Sequence, residues 1–598
     1  MLIRVASGTP LRLAFPEPFR EGRYVCSGLR AEVAFRGNGT GVDRAGIARH
    51  RCHLFGGYRI APFGIPPPVP RMLIFVNTSR SGTNDESSQW ARGADDDAEE
   101  RSTVFGRRRF LGLSAGTAVA AVQACGAPGR EPVRPDSRMV RLAERARRPA
   151  NARRVDIELR ARPGEADLGG LSAPTWMFNG GLPGPEIRAR RGDVLRARLR
   201  NDTPEATTIH WHGIALRNDM DGVPGVTQER VAPGGEFSYE FTLPDAGTHF
   251  FHPHVGTQLD RGLYAPLIVE ERDEPGRYDD ELVLVLDDWL DGLSAGPDAR
   301  LAELRREGMS MSGGGHAHSG GVDPDGTKTG PLGTDTGDVS HPHYLVNGRV
   351  PAAPVVNRAR PGQRLRLRLI NAGADTAFRL AVGGHRMTVT HTDGFPVEPR
   401  RADSVLLGMG ERYDVEVTLG EGVFPVVAVA EGKGGQAMAL LRTGPGTAPV
   451  APVRPRELAG RPLLARDLHA SERVRLPVGK PDRTHTLRLG LDPSGTYRWT
   501  INGETFDERT PMPLRRDERV RLRFVNTTMM FHPMHLHGHT FQLVGGARPG
   551  PRKDTVLVLP KETLEVDFHA DNPGQWLVHC HNVYHGESGM MTVLSYTA

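Results

Sequence analysis

Three similar segments recur along this chain of 598 residues and restrict its fold. They read Leu-Arg-Ala-Arg-Leu-Arg-Asn, Leu-Arg-Leu-Arg-Leu-Ile-Asn and Val-Arg-Leu-Arg-Phe-Val-Asn, and they end at Asn201, Asn371 and Asn526. Apolar residues alternate with Arg through most of each segment, a period of two that is typical of a half-buried strand. The asparagines are 170 and 155 positions apart, which is a domain length and much longer than a solenoid unit. The repeat therefore predicts three related β-domains.

Turn signals between the short alternating segments support an all-β fold. Pro-Gly and Asn-Gly pairs occur at Leu182-Pro-Gly-Pro185, Val346-Asn-Gly-Arg349 and Ile501-Asn-Gly-Glu504. Such spacing of strands and turns predicts Greek-key β-sandwiches or barrels. We place domain 1 at residues 150–275, domain 2 at 280–445 and domain 3 at 457–598.

The formal net charge of +5 comes from the front of the chain. Residues 1–125 contain 17 Arg and no Lys against 11 acidic residues, whereas the remainder is close to neutral. A near-neutral body does not indicate a polyanion partner, so we expect no nucleic acid to bind. Three of the four cysteines also lie in the front, and only Cys580 lies in the body. A lone Cys between two His indicates a metal thiolate or a nucleophile.

Residues 107–125 resemble a twin-arginine signal that directs export. Arg107-Arg108 precedes a small-residue apolar run that is too short to span a bilayer, so we expect no transmembrane segment. Cys125 is a candidate lipid anchor, and ordinary cleavage near Ala120 or Ala124 is the alternative. Because such signals begin a protein, we interpret residues 1–106 as a poorly ordered leader with a mis-assigned start. We expect an extracellular, periplasmic or envelope-attached protein.

The tail of the chain holds the strongest chemical signal. His579-Cys580-His581 is followed by His585 and Met590, which together offer the thiolate, imidazole and weak axial thioether of a blue-copper site. His532 is the candidate for the second imidazole. On an extended strand, side chains alternate between the two faces. Cys580 therefore points one way and its two His neighbours the other, so one tripeptide can join two metal centres.

Paired His-x-His motifs occupy equivalent places in domains 1 and 3. His210-Trp-His212-Gly corresponds to His535-Leu-His537-Gly, and His252-Pro-His254 corresponds to His579-Cys-His581. Both of the latter tripeptides end 21 positions after a Pro that starts a strand. Domain 2 has no His-x-His pair at the equivalent places. We therefore expect the second metal centre between domains 1 and 3, with domain 2 as a spacer.

Over residues 150–598 these motifs resemble the multicopper oxidase family, which includes laccases, ascorbate oxidases and bacterial copper-efflux oxidases. The resemblance implies three cupredoxin-like domains and four copper ions. It implies that type 1 copper is bound by His532, Cys580, His585 and Met590. It implies that type 2 copper is bound by His210 and His535, and the binuclear type 3 pair by His212, His252, His254, His537, His579 and His581.

The resemblance also implies a reaction. A reductant would be oxidised one electron at a time at type 1 copper, electrons would pass through Cys580 to His579 and His581, and four of them would reduce O2 to water. Asp221 fits the place of a proton relay, with a turn-stabilising role as the alternative. The second proton donor stays open, because Gly586 follows the second type 1 His and the acid, Glu587, comes one position later.

The favoured substrates are phenols and aromatic amines. The alternative is oxidation of Cu(I) for copper detoxification, for which a Met/His-containing loop at 309–318 is a candidate capture segment or only a linker. A non-catalytic copper-storage or scaffold role is disfavoured, because no ligand is missing. Three full domains predict a monomer.

Overall fold

The computed structural model describes residues 131–597, except 272–273, 275–277, 309–329 and 547, together with four strands near the start of the chain. Residues 1–121 and 122–598 form two separate compact units. The strands described in the first unit pair antiparallel in the order β2-β1-β4-β3, and are β1 (Leu2–Arg4), β2 (Pro10–Arg12), β3 (Arg23–Val25) and β4 (Glu32–Ala34). The predicted signal at 107–125, Cys125 and the 309–318 loop lie outside the described residues.

Domain 1 consists of two four-stranded sheets with the strand orders β10-β8-β5-β6 and β7-β12-β11-β9. The strands are β5 (Arg154–Asp167), β6 (Ser172–Phe178), β7 (Ile187–Arg190), β8 (Val194–Asn201), β9 (His210–His212), β10 (Glu236–Thr242), β11 (Gly247–His252) and β12 (Ala265–Glu270). Strands β5 and β8 pair in parallel, as Greek-key crossovers between two sheets allow.

Domain 2 has a six-stranded sheet, β14-β13-β16-β21-β18-β19, and a five-stranded sheet, β15-β23-β22-β17-β20. Its strands are β13 (Asp280–Trp289), β14 (His343–Val346), β15 (Val355–Arg358), β16 (Arg364–Asn371), β17 (Phe378–Val382), β18 (Met387–Thr392), β19 (Phe395–Ala402), β20 (Val405–Leu407), β21 (Arg412–Thr418), β22 (Val423–Ala430) and β23 (Gln436–Arg442).

Domain 3 repeats this arrangement with the orders β25-β24-β27-β32-β29-β30 and β26-β34-β33-β28-β31. Its strands are β24 (Arg483–Leu491), β25 (Trp499–Ile501), β26 (Met512–Leu514), β27 (Arg519–Asn526), β28 (His532–Leu536), β29 (Phe541–Leu543), β30 (Arg552–Lys553), β31 (Thr555–Val558), β32 (Thr563–His569), β33 (Gln575–Cys580) and β34 (Met591–Tyr596). The predicted all-β fold of paired sheets is thus confirmed.

Helical segments are short in the described part of the chain. The α-helices are α1 (Arg138–Arg147), α2 (Pro297–Glu307) and α3 (Val583–Glu587), and single 3-10 turns occur at Asn218–Met220, Leu259–Arg261, Arg456–Leu458, Ala465–Asp467 and Glu472–Val474. Among these described helices, none has the length and apolar character needed to cross a membrane.

The three repeated asparagines make the same contacts. The Oδ1 atoms of Asn201, Asn371 and Asn526 each accept a hydrogen bond from the backbone N–H two residues later. Each Nδ2 donates to a carbonyl four or five residues later and to another farther along the chain, at Val231, Leu407 or Val558. Because the groups are buried, an unmade bond would cost about 1–3 kcal/mol. The asparagine therefore holds the loop that leaves the strand, and in domain 3 this loop leads to His532.

The apolar residues of the repeat face the core. In β27, Val520, Leu522 and Phe524 are fully buried, each burial being worth about 1.5–3 kcal/mol. The alternate Arg521 faces outward and pairs with Asp567 at 2.7 Å. The strand thus presents an apolar face to the space between the two sheets and a charged face to the outside.

Candidate metal centres

Three buried side chains of domain 3 converge on one point. Cys580 Sγ lies 3.7 Å from His532 Nδ1 and 3.6 Å from His585 Nδ1, and the two nitrogens are 3.2 Å apart. His532 begins β28 and Cys580 ends β33, whereas His585 lies on α3. Met590 is also fully buried, and its carbonyl accepts a hydrogen bond from Cys580 N at 3.0 Å. The chain therefore brings three of the four predicted type 1 ligands together and places the fourth, Met590, next to Cys580 through its backbone.

The short helix α3 turns His585 back toward Cys580. Its N-cap is Asn582, whose Oδ1 accepts hydrogen bonds from the N–H groups of Tyr584 and His585. Asn582 Nδ2 in turn donates to Asp375 of domain 2 at 2.6 Å. A side-chain cap of this kind stabilises a helix start by about 1 kcal/mol, and here it determines the position of an imidazole.

Further contacts surround the His585 ring. Its Nε2 donates to Asp338 Oδ2 at 2.9 Å, and Tyr497 OH donates to the same oxygen at 2.5 Å. Trp499 stacks on the imidazole with 3.8 Å between the ring centroids. Burial acts to lower the pKa of His585, but the hydrogen bonds with Asp338 and Cys580 outweigh it and raise the pKa to about 10. The Asp338 carboxylate beside this buried imidazole creates a local field that favours a cation.

Eight imidazoles, four from domain 1 and four from domain 3, form a second cluster. Facing nitrogens are 3.4–3.5 Å apart in three pairs, His210 Nε2 with His535 Nε2, His252 Nε2 with His581 Nε2, and His254 Nε2 with His579 Nε2. His212 Nδ1 and His537 Nε2 have no hydrogen-bond partner among the described residues. Each facing pair joins one domain to the other, so the cluster is shared between domains 1 and 3.

Strand register explains why domains 1 and 3 contribute equivalent histidines to the cluster. His210 pairs with His252 across β9 and β11, and His535 pairs with His579 across β28 and β33. The same two strands of each domain therefore present the same pattern of imidazoles. The two tripeptides that contain His252 and His579 lie opposite each other.

Most of these rings are held through the nitrogen that faces away from the cluster. His210 Nδ1 donates to Asp221 O at 3.0 Å and His537 Nδ1 to Asp221 Oδ2 at 2.9 Å. His535 Nδ1 donates to Asp554 O at 2.9 Å. The nitrogens of His252 and His579 that point away bond to the backbone carbonyls of Pro253 and Cys580. Acceptors of this kind fix the ring orientation and tautomer of metal-binding histidines.

These donor sets fit copper ions. Imidazole nitrogens bind transition metals at about 2.0–2.1 Å, so two that share an ion lie about 3.3 Å apart. A thiolate with two imidazoles and a thioether suits a blue-copper ion, and imidazoles suit copper generally. Burial lowers the pKa of most of these histidines, which favours the neutral form that binds metal, namely His212, His252, His254, His532, His535, His537, His579 and His581.

Asp221 lies directly behind the cluster. It is fully buried, and its Oδ2 bonds to His537. Its Oδ1 lies 3.2 Å from His210 Nδ1 and has no hydrogen-bond partner among the described residues. Gly222 has a positive φ of 81°, and an added Cβ would lie only 2.0 Å from Ile209 O. The glycine therefore permits the close turn that brings Asp221 to the imidazoles. Asp221 thus contacts two rings of the cluster, His210 through its backbone carbonyl and His537 through its carboxylate.

Glu587 lies at the edge of a small cavity. The cavity has a volume of about 30 Å³ and is lined by His252, His254, His579 and His581 together with Glu587, which is room for one or two water molecules. Glu587 also lines an open cleft of about 710 Å³. Burial raises the pKa of its carboxyl group. Its place between the cluster and the cleft was not apparent from the sequence.

Several residues that support the rings were missed by sequence reasoning. Asp338 and Trp499 flank His585, and Asp554 with Thr555 contacts His212 and His535. Thr555 Oγ1 lies 3.1 Å from His212 Nε2 and 3.0 Å from His535 Nδ1. No spacing marks these residues, since they come from loops and strand ends without a repeated pattern. The one sequence feature that pointed to Asp554 and Thr555 was their place at the start of a strand that follows the His-rich motif.

Comparisons with known proteins agree with this geometry. Models of the family described as multicopper oxidase match residues 162–274, 315–446 and 479–598. The multicopper oxidase MmcO of Mycobacterium tuberculosis is 46% identical over 82% of this chain and 97% of its own length. A copper resistance protein A homolog of Pseudomonas syringae pv. tomato is 28% identical over 71% of this chain and 90% of its own.

Solved structures are similar as well. A multicopper oxidase from Pseudomonas thermotolerans has 31% identity and a TM-score of 0.57 over 75% of this chain and all of its own. Fet3p, a multicopper oxidase that functions in iron import, has a TM-score of 0.62 over 74% of this chain and 90% of its own, at 23% identity, and shows the fold alone. The predicted family and the cupredoxin-like character of the domains are confirmed, and the chain belongs to the multicopper oxidase family of copper-dependent oxidoreductases.

Proposed function

We propose that this protein holds four copper ions and couples one-electron oxidations of a reductant to the reduction of O2 to two molecules of water. One observation carries the proposal. The tripeptide at the end of β33 places Cys580 Sγ beside His532 and His585, and places His579 and His581 in the His cluster. A covalent path of a few bonds therefore links the two centres.

The type 1 copper would be held by His532, Cys580, His585 and Met590, and the cluster coppers by the eight imidazoles. When bound, the copper ions would accept single electrons and deliver them in fours to O2. The protein's part is to hold these ligands in a dry, rigid cradle and to exclude side reactions. Domains 1 and 3 each supply half of the cluster, so both must be docked before the cluster is complete.

Two carboxylates are placed to supply protons. Asp221 accepts from His537 of the cluster, and Glu587 lines the cavity beside His252, His254, His579 and His581. Glu587 also faces the open cleft, so its carboxyl group can exchange a proton with water there and hold it next to the cavity. Proton donors in reach of the reacting oxygen are a requirement of general acid catalysis.

Contacts at His585 favour Cu(I) as the reductant. The ring is fully buried and its Nε2 is covered by Asp338, so an aromatic substrate cannot stack on or contact this imidazole. Met529, on the loop before His532, is 56% exposed, and the backbone of Met530 is bridged to Asp335. Carboxylates and an accessible thioether suit a copper ion, and thioether favours Cu(I). Relatives of this chain include copper resistance proteins that are 28–29% identical to it.

Phenols and aromatic amines are the second candidate. The 710 Å³ cleft is lined by Tyr497 and Phe506 as well as by charged residues, and Tyr497 bonds to Asp338. An aromatic substrate in this cleft could therefore contact Tyr497, which bonds to Asp338, and Asp338 in turn contacts His585. Relatives of this chain also include fungal laccases, one being 29% identical.

The overall reaction is tested by oxygen uptake. The copper-loaded protein should show a blue absorption band, contain four coppers per chain and consume one O2 per four electrons without releasing peroxide. A colourless copper-loaded protein without oxygen uptake would contradict the proposal and favour storage or a scaffold role.

The two reductants are separated by steady-state rates with Cu(I) and with a dimethoxyphenol. Met529→Leu should lower kcat/KM for Cu(I) about tenfold and leave the phenol rate unchanged, because it removes only an exposed thioether. Val544→Leu, another partly exposed apolar position, is the matched control. Equal losses with both reductants would mean that Met529 does not contact the substrate.

We also propose export by the twin-arginine route, with Arg107-Arg108 as the signal and Cys125 as a possible site of lipid attachment. N-terminal sequencing of the exported protein tests this, and a mature chain that starts before residue 100 would contradict it.

A further inference from the structure

Arg412 of domain 2 contacts all three domains at the back of the His cluster. It begins β21, and its side chain is completely buried. Nε donates to Thr248 O of domain 1 at 3.0 Å. Nη1 and Nη2 donate to the two carboxylate oxygens of Asp554 in domain 3, at 2.7 and 2.6 Å. Bidentate pairing of this kind is strong and restricts geometry.

The carboxylate that Arg412 holds contacts two predicted copper ligands. Asp554 Oδ1 lies 3.2 Å from His212 Nε2 and 3.4 Å from His535 Nδ1. The opposite nitrogens of these rings are the ones turned toward the cluster, since His212 Nδ1 has no partner among the described residues and His535 Nε2 faces His210. Asp554 therefore orients a predicted ligand of the type 3 pair through its carboxylate and a predicted ligand of the type 2 ion through its backbone carbonyl.

Domain 2 also binds the backbone of residues 554–555 in domain 3. Asp393 accepts hydrogen bonds from the N–H groups of Asp554 and Thr555 at 3.2 and 3.1 Å, and from Arg412 N at 2.9 Å. Gly410, two residues before Arg412, lies so close to the cluster that an added Cβ would be 2.9 Å from His581 and 3.0 Å from His212. This part of domain 2 is therefore in direct contact with the rings.

We propose that Arg412 is a positioning residue through which domain 2, which holds none of the predicted copper ligands, sets the geometry of the type 2 copper and of one type 3 copper. The proposal rests on the proposed function, because it needs copper in the cluster. Domain 2 is then part of the metal site's support and not only a spacer between domains 1 and 3.

The physical reason is the cost of an unpaired buried charge. Without the guanidinium, the buried Asp554 carboxylate would lose the cation that pairs with both of its oxygens. It would move, and this movement would take an acceptor from His212 Nε2 and displace the backbone carbonyl that accepts from His535 Nδ1. Removing supports of this kind costs 10–100-fold in metal affinity or activity in known sites.

Arg368 provides a matched control. It is also buried at the contact between domains 1 and 2, where it donates to Thr248 Oγ1 at 3.0 Å and to Glu281 at 2.8 Å. It pairs with Asp414, which bonds to no predicted copper ligand. A variant of Arg368 therefore loses a similar domain contact and a similar charge pair without touching the cluster.

The test compares Arg412→Met, Arg412→Lys and Arg368→Met as copper-loaded full-length proteins. We measure copper per chain after dialysis against a chelator, the type 2 signal by electron paramagnetic resonance, and the blue band. Arg412→Met should keep the blue band. The copper that its cluster retains after dialysis should fall about tenfold or more, and the hyperfine splitting of its type 2 signal should change. Arg412→Lys should fall between Arg412→Met and the unaltered protein.

Arg368→Met should retain cluster copper and the type 2 signal of the unaltered protein. Equal effects of Arg412→Met and Arg368→Met would overturn the proposal, as would an unchanged type 2 signal in Arg412→Met. If Arg412→Met does not fold, Arg412→Lys decides, with the blue band as the measure of a folded domain 3. Absence of a type 2 signal in the unaltered protein would instead contradict the proposed function.

Discussion

Domains 2 and 3 have the same strand order in both sheets, yet their equivalent positions differ in chemistry. His532 pairs with Val558 and Phe378 pairs with Leu407 on corresponding strands. Two residues farther along these strands, Met534 pairs with Cys580 and Leu380 pairs with Ala428. Phe378 therefore occupies the position of His532, and Ala428 that of Cys580.

The connections after these strands differ too. In domain 2, β22 and β23 are joined by residues 431–435, whereas in domain 3 residues 581–590 lie between β33 and β34 and form α3. The longer connection carries His585 and Met590. The comparison shows that the sheets supply positions, and that side chains at two strand positions and one connection supply the chemistry.

Replacing Cys580 should have the largest effect. Cys580→Ser removes the thiolate that lies next to both His532 and His585, so we expect loss of the blue band and at least a thousandfold loss of substrate oxidation. The eight imidazoles of the cluster are unchanged, so cluster copper should be retained. Spectroscopy, copper analysis and oxygen uptake measure these effects. Retention of the blue band would mean that another residue supplies the thiolate position.

Introducing a histidine into domain 2 at the position of His532 tests whether the strand positions are sufficient to form a blue-copper site. Phe378→His removes a buried aromatic ring and buries two ring nitrogens, so we expect a loss of about 3 kcal/mol in unfolding free energy. Thermal or denaturant unfolding of the copper-free protein measures it. Ala428→Cys is the control, because cysteine packs as a small apolar residue.

The double variant Phe378→His/Ala428→Cys should show no blue band beyond that of the domain 3 site, because the short connection 431–435 provides neither a second imidazole nor a thioether. A blue band that persists when Cys580→Ser is added to this variant would show that the longer connection of domain 3 is dispensable.

The smallest effect concerns a buried histidine of domain 2 that is not a predicted ligand. Burial lowers the pKa of His391 to about 3, with Arg366 and Arg368 acting in the same direction against Asp414. The unfolded chain takes up the proton near pH 6.5, before the folded protein does, so stability falls as the pH drops from about 6.5 to 3.

His391→Gln should lower the slope of the unfolding free energy against pH by about 1.4 kcal/mol per pH unit between about pH 6.5 and 3. Unfolding of the copper-free protein at pH 7 and pH 5 measures the difference. His569→Gln, at an exposed position of domain 3, is the control and should leave the slope unchanged. An unchanged slope in His391→Gln would mean that His391 takes up its proton over the same pH range in the folded and unfolded protein.

Sequence reasoning predicted the fold, the family and the grouping of the ligand side chains. It succeeded because these residues lie in short motifs on strands, where a period of two determines which side chains share a face. It also predicted that Cys580 and its His neighbours point to opposite sides. The location of Glu587 beside the cavity was left open, because one position on a connection does not reveal which wall its side chain reaches.

The repeated Arg residues show where local pattern was insufficient. Arg521 of domain 3 lies at the protein surface, whereas Arg366 and Arg368 at similar places in domain 2 are 1% exposed. Both pair with Asp414, beneath Thr248 of domain 1. The same strand pattern thus leads to an outer face in one domain and an interface in another.

By itself the sequence predicted the β-domain repeat and the copper-type ligands with their order, since each motif depends on neighbours within about ten residues. The tertiary structure alone decided which carboxylates and cations support those ligands. Asp338 meets His585 across 247 positions and Arg412 meets Asp554 across 142, distances over which no periodic pattern links one residue to another. Buried charges need partners, and the packing of three domains determines which partners they find.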